Sequence, residues 1–298
     1  METGRKYVVG IGEALWDVLP EGKKIGGAPA NFAYHVSQFG LESRVVSAVG
    51  DDALGEEILE NFMEKNLKCI VPKVAFPTGT VQVTVDPAGV PAYDIRQGVA
   101  WDNIPFTEEL ERLAGQTRAV CYGSLAQRSE VSRNTIRSFL EAMPDGDDIY
   151  RVFDINLRQN FYTNETVRDS LCRCNILKIN DEELDVIGMM FGYPGRDTRE
   201  NCMKLLEEFG LRMVILTCGV KGSYIFTRDS VSFMETPVVR VADTVGAGDS
   251  FTGAFVSAIL KGKPVEEAHR LAVDVSAYVC TQNGAMPVLP KSLLCRAE

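Results

Sequence analysis

Short apolar runs of strand length recur along this chain with helical patterns between them, and no other feature narrows the fold as much. Ala119 to Tyr122, Arg151 to Ile155, Ile176 to Ile179 and Met213 to Thr217 are such runs. Helical periodicity fills intervals such as Arg199 to Phe209 and Ser250 to Lys261. Strands that alternate with helices pair in parallel through crossovers, and helices then cover both sheet faces. The expectation is an α/β fold: a mostly parallel sheet with helices on both faces. Near the N-terminus, Tyr7 to Ile11 reads as a buried strand that delivers Gly12, Glu13 and Asp17 to its carboxyl end. Arg44 to Val49 reads as a second strand, and Asp52 to Lys65 as an amphipathic helix on Leu54, Ile58, Leu59 and Phe62.

The stretch from Thr78 to Trp101 has a different texture. Val81, Val83 and Val85 alternate with Gln82 and Thr84, Pro87-Ala88-Gly89 turns the chain, and Tyr93 and Ile95 alternate beyond. That pattern predicts a β-hairpin with one polar face, standing off the main body as a small β lid. Segments of about 17–27 and 78–101 are expected to form this lid on one domain spanning residues 1–298. No repeat, low-complexity tract or linker divides the chain.

The 31 Lys and Arg against 41 Asp and Glu give a net charge of -10, which argues against nucleic acid or a membrane surface as the main partner. Eight Cys contain no Cys-x-x-Cys pair, and two His cannot complete a Cys/His zinc site, so the cysteines read as small core residues. No apolar run has the length of a signal peptide core or a membrane span, which places the expected protein in the cytoplasm.

Asp243-Thr-Val-Gly-Ala-Gly-Asp249 carries the most chemical information. A helix is predicted to begin near Asp249, with Phe251, Ala254, Phe255, Ala258 and Ile259 on its apolar side and Gly262 at its end. Gly246, Ala247 and Gly248 leave backbone N–H groups open to a ligand at the positive helix end, which makes an anion site. A carboxylate in a first turn ordinarily stabilises the helix by about 0.3–1 kcal/mol. The bare amides ahead of Asp249 favour a phosphate beside that carboxylate instead.

This segment resembles the C-terminal motif of the PfkB (ribokinase-like) carbohydrate kinases. Gly26-Gly-Ala-Pro-Ala-Asn31, with Gly40 and Gly50 beyond, resembles the N-terminal motif of the same family. The resemblance covers nearly the whole chain, lid included. It implies an ATP-dependent sugar kinase in which Asp249 takes the proton of the acceptor hydroxyl. The amides of Gly246, Ala247 and Gly248 would hold the transferring phosphoryl group. No Gly-x-x-x-x-Gly-Lys-Ser/Thr run is present, so the phosphate cradle is not a P-loop.

Further segments match the family residue by residue. Asn180-Asp-Glu-Glu183 is similar to its Asn-x-x-Glu element, which implies a place for Asn180 at the nucleotide and for Glu183 at Mg²⁺ through water. Read alone, this run is an acidic helix start. Thr217, Gly219 and Gly222 resemble the nucleotide loop; alone, the segment reads equally as a plain glycine-rich turn or as such a loop. Asn283-Gly284 is similar to the last turn beside adenine, and Asp243 would help to hold a monovalent cation such as K⁺. Asp17, Gly27, Asn31 and Arg158 are the expected sugar contacts. Without the resemblance Asp17 reads equally as a solvated loop residue or a ligand, Asn31 equally as a helix cap or a ligand, and Arg158 as a surface ion-pair member. Trp101 and Phe161 read as core.

Gly12 to Asp17 and Ala100-Trp-Asp-Asn-Ile104 look most like fructokinases, which implies D-fructose going to fructose 6-phosphate. Arg158 keeps ketodeoxygluconate kinase open, and ribokinase also stands as an alternative. A non-catalytic sugar-binding regulatory protein is the reading from another class. A marginal two-stranded lid would gain from pairing with a second subunit, so a homodimer through the lid is expected.

Overall fold

A computed structural model describes residues 6–19, 22–85, 91–193 and 197–298, with backbone alone for 83–85 and 91–93. In chain order the first strands are β1 (Tyr7–Ile11), β2 (Leu15–Leu19), β3 (Gly22–Gly26), β4 (Glu42–Val46), β5 (Val49–Gly50), β6 (Cys69–Ile70) and β7 (Lys73–Val74). Then come β8 (Gly79–Val85), β9 (Pro91–Ile95), β10 (Thr117–Tyr122), β11 (Tyr150–Asp154) and β12 (Ile176–Asn180). The last are β13 (Met213–Thr217), β14 (Ser223–Phe226) and β15 (Val231–Met234). Helices are α1 (Ala28–Gln38), α2 (Ala53–Glu64), α3 (Glu108–Ala114), α4 (Glu130–Ala142) and α5 (Asn164–Arg173). They continue as α6 (Asp181–Phe191), α7 (Thr198–Glu208), α8 (Ala247–Leu260), α9 (Val265–Cys280) and α10 (Lys291–Leu294).

The main sheet has the order β15-β14-β13-β12-β11-β10-β1-β4-β6. Pairing is parallel from β13 through to β6 and antiparallel only where β14 and β15 extend one edge. Side chains along each strand alternate between two cores, as a period of two requires. Val9, Ile11, Val120, Tyr122, Phe153, Leu177 and Leu216 face one core with Leu110, Ile136, Leu184 and Leu205 from α3, α4, α6 and α7. Val8, Ala119, Cys121, Val152, Ile176 and Ile215 face the other with Phe32, Phe255 and Leu271 from α1, α8 and α9. Helices on both faces therefore follow from strands that are apolar on both faces. Every residue of α8 from Ser250 to Leu260 is buried, so this helix is held by packing all round.

The lid departs from the isolated hairpin. It is a four-stranded sheet, β3-β2-β8-β9, in which β2 pairs antiparallel with β3 and parallel with β8. The Pro87-Ala88-Gly89 turn and the side chains of Val83, Val85 and Tyr93 lie outside the described residues. Val81 and Ile95 do not stand off the body, since they are buried with Leu15 in its core. Where the lid rejoins the body, Asp102 accepts bonds from Gly98 N (2.9 Å), Val99 N (3.2 Å) and both Nε and Nη2 of Arg128 (2.8 and 2.9 Å). The Arg128 guanidinium lies 4.0 Å from the Trp101 ring centroid and 4.6 Å from that of Phe161. Trp101 is thus core, as its sequence context suggested.

Candidate active site

A cavity of about 1100 Å³ runs along the edge where the parallel strands end, with Leu15, Asp17, Gly26, Val81 and Ile95 of the lid on its wall. The helix at its floor, α8, starts at Ala247, two residues earlier than the sequence suggested. Its N-cap is Gly246, in the left-handed region at φ 77°. A Cβ there would stand 2.6 Å from Cβ of Ala285, so both the backbone angle and the space demand glycine. The earlier start puts Ala247, Gly248 and Asp249 in the first turn, where N–H groups lack intrahelical acceptors and the helix end is positive. The Ala247 N–H makes a long bond of 3.3 Å to Thr244 O.

A second helix start meets the first. Asn31, in the first turn of α1, donates from Nδ2 to Asp249 Oδ2 at 2.7 Å across 218 residues of sequence. Gly27, the N-cap of α1, has φ 119°, and a Cβ on it would meet Glu13 O at 2.3 Å. Asp249 opens onto the cavity and is half-buried. Burial, with the Asp154 carboxylate adding to it, pushes its carboxyl up to about 7, against the pull of Asn31 and Lys178.

Asp154 and Lys178 are neighbours in register on β11 and β12, on the sheet face that carries α8. Lys178 Nζ donates to Asp154 Oδ1 at 3.0 Å, and Thr252 Oγ1 of α8 donates to Asp154 Oδ2 at 3.3 Å. Burial alone would lower the Lys178 ammonium, but Asp154, Glu183 and Asp249 outweigh it and hold the charged form.

Glu183 closes the start of α6. Its Oε2 accepts from Asn180 N at 3.0 Å, Asn180 Oδ1 accepts from Glu183 N at 2.8 Å, and its Oε1 accepts from Leu157 N at 2.9 Å. The capping box thereby pins the loop that carries Arg158. In that loop Asn156 (φ 45°) and Gln159 (φ 50°) are left-handed without being glycine, a strained arrangement that gathers at ligand loops.

The wall contains Asp17, Gly27, Asn31, Arg158, Asn180, Glu183, Thr217, Gly219, Gly222, Gly246, Ala247, Gly248 and Asp249 together. Two expected residues lie outside it. Asn283 is exposed, and Asp243 accepts from Val245 N (3.1 Å), Gly284 N (3.2 Å) and Lys24 Nζ of β3 (3.3 Å). Asp17 is pushed up to about 6 by burial, partly offset by Arg158 and Lys24. Glu13 and Lys178 line the wall without having been marked as site residues. Glu13 is buried, and its Oε2 has no hydrogen-bond partner among the described residues. Lys178 carried a readable signal, a charge inside the apolar run Ile-Leu-Lys-Ile.

The model of the pfkB family carbohydrate kinases matches residues 20–292. This chain belongs to that family. As a member it is a carbohydrate kinase with an ATP-binding site. It is 29% identical to an ATP-dependent 6-phosphofructokinase of Thermoanaerobacterium thermosaccharolyticum, over 96% of this chain and 92% of that protein. It is 30% identical to a fructokinase of Klebsiella pneumoniae, over 94% of this chain and 95% of that protein. The crystal structure of a fructokinase with bound ATP from Xylella fastidiosa superposes with a TM-score of 0.84, at 22% identity and 98% coverage of both chains. That likeness extends the family's mostly parallel sheet and helix layers to this fold.

Proposed function

We propose that this kinase transfers the γ-phosphoryl group of ATP to the terminal hydroxyl of D-fructose, with Asp249 as the base. The observation that carries the reading is a carboxylate at the open amide end of α8, tied to Asn31 at 2.7 Å inside a roofed cavity. The sugar hydroxyl gives its proton to Asp249 as its oxygen bonds to phosphorus. The bond from the γ-phosphorus to the bridging oxygen breaks, and ADP leaves with that electron pair. The Gly248 amide and its neighbours take up charge on the equatorial oxygens.

Asp17, Gly27 and Arg158 would hold the sugar under the lid, and lid closure would exclude water that competes for the phosphoryl group. Thr217, Gly219 and Gly222 would carry the nucleotide, with the exposed Val220, Val238 and Val241 bracketing the base. Asn180 stands at the phosphate side. Mg²⁺ suits the oxygen donors here: Glu183 would reach it through water, and the ion would neutralise phosphate charge. A monovalent cation at Asp243 would take the place of the Lys24 ammonium, and Asn283 would sit near the adenine only through its backbone turn. The whole chain would form one domain, working in the cytoplasm. The homodimer through the lid would use lid surface other than Val81 and Ile95, which are already covered; sedimentation at micromolar concentration decides it.

Fructose is favoured over a phosphorylated sugar because Asp17 sets a carboxylate at the sugar end of the wall. A sugar acid is the second reading, favoured by Arg158 on the same wall. Kinetics with ATP and fructose, fructose 6-phosphate, ketodeoxygluconate and ribose test the assignment. The highest kcat/KM is expected for fructose, and a higher value for any other sugar overturns it. Sugar binding without ADP release would instead support a non-catalytic binding protein.

A further inference from the structure

Lys178 and Arg158 are the two cations on the cavity wall among the described residues. Arg158 is exposed on the loop at the sugar side, whereas Lys178 is 9% exposed and lies under the start of α8. A Cβ built on Gly248 would meet Lys178 Nζ at 2.9 Å. The space left by the missing side chain of Gly248 is therefore occupied by an ammonium group, beside the amide proposed to hold the phosphoryl oxygens.

A buried Lys–Asp pair is a poor source of stability, since apolar residues of similar volume often serve as well or better. Its position explains it better. Asp154 fixes the ammonium on one side and, through Thr252, fastens it to α8 one turn beyond Asp249. The positive charge is thus fixed before any ligand arrives, as stabilisation of a phosphoryl transition state requires.

We infer that Lys178 is a catalytic residue whose ammonium takes up negative charge on the transferring phosphoryl group where it lies against the Gly248 amide. Lys178 keeps its proton throughout, and no bond to it forms or breaks. The inference rests on the proposed phosphoryl position at α8. It adds a side-chain cation to a cradle otherwise made of amides, in a chain that has no P-loop lysine.

Lys178→Met tests it. The expected result is a fall in kcat of about 10²-fold with the Kd for sugar, measured by calorimetry, unchanged. Ethylamine added to Lys178→Ala should restore part of kcat, and ethanol should not, because the missing element is a charge rather than a volume. If Lys178→Met fails to fold, the double variant Asp154→Asn with Lys178→Met removes the orphaned carboxylate and is measured in its place. A kcat within about threefold of wild type, in a folded variant, overturns the inference. So does rescue by ethanol equal to that by ethylamine. Asp249→Asn measured alongside separates the two ideas: if it is inactive while Lys178→Met is not, only the role of Lys178 is lost, and if it is active, the base assignment is lost.

Discussion

At the start of α8 two polar groups meet: Asn31 bonds Asp249 at 2.7 Å, and Asp154 accepts from Lys178 at 3.0 Å and from Thr252 at 3.3 Å. At the other end of the same cavity Val220, Val238 and Val241 stand 91%, 102% and 58% exposed. The first region is fixed, charged and shielded before substrate binds, which is the condition for stabilising a transition state. The second is open apolar surface that gains free energy only when something planar and apolar covers it. Changes at the first should appear in kcat, and changes at the second in the KM for ATP.

The largest effect, after loss of the base, is expected from Gly248→Ala. Its new Cβ would press on Lys178 Nζ and on the space for the phosphoryl oxygens. A fall in kcat of about 10²–10³-fold is expected. A Gly248→Ala variant with unchanged kcat would erase the contrast between the two ends.

The pH dependence is expected next. Asp249 must be ionised to take a proton, and burial raises its carboxyl to about 7. Below that pH, kcat/KM should fall about tenfold per unit, a limb that a carboxylate in its ordinary range would place some three units lower. A rate flat from pH 5 to pH 8 would separate Asp249 from the proton transfer. The smallest effect belongs to the rim, where Val238→Ser should raise the KM for ATP about fivefold, equivalent to about 1 kcal/mol, and leave kcat alone. A fall in kcat instead would show that the rim also positions phosphate.

The same contrast governs what the sequence could tell. The run from Asp243 to Asp249 makes its site locally, because consecutive residues form one helix start, so its chemistry is legible in order. The pairing of Asn31 with Asp249 spans 218 residues, and the motifs implied Asn31 only as a sugar contact. Lys178 went unmarked because its meaning depends on Asp154, which only the parallel register of β11 and β12 sets beside it. The lid shows the same limit. Alternation revealed the β8 and β9 ribbon, whereas the parallel pairing of β2 with β8 joins Leu15 to Gly79 and leaves no local trace. Asp243 carried its motif signal, but its bond to Lys24 depends on how the lid strand β3 passes.

Asp249→Asn, assayed for turnover, sugar binding and melting temperature together, tests the central claim most directly. A carboxyl raised from 3.8 to about 7 costs the folded state progressively as pH climbs between those values, so at pH 8 the neutral amide should melt no lower than wild type. The account predicts that outcome together with a loss in kcat of about 10²–10⁴-fold and a nearly unchanged Kd for fructose. A variant that turns over at close to the wild-type rate and is less stable by about 1 kcal/mol would contradict it, leaving Asp249 as no more than an acidic residue at a helix start.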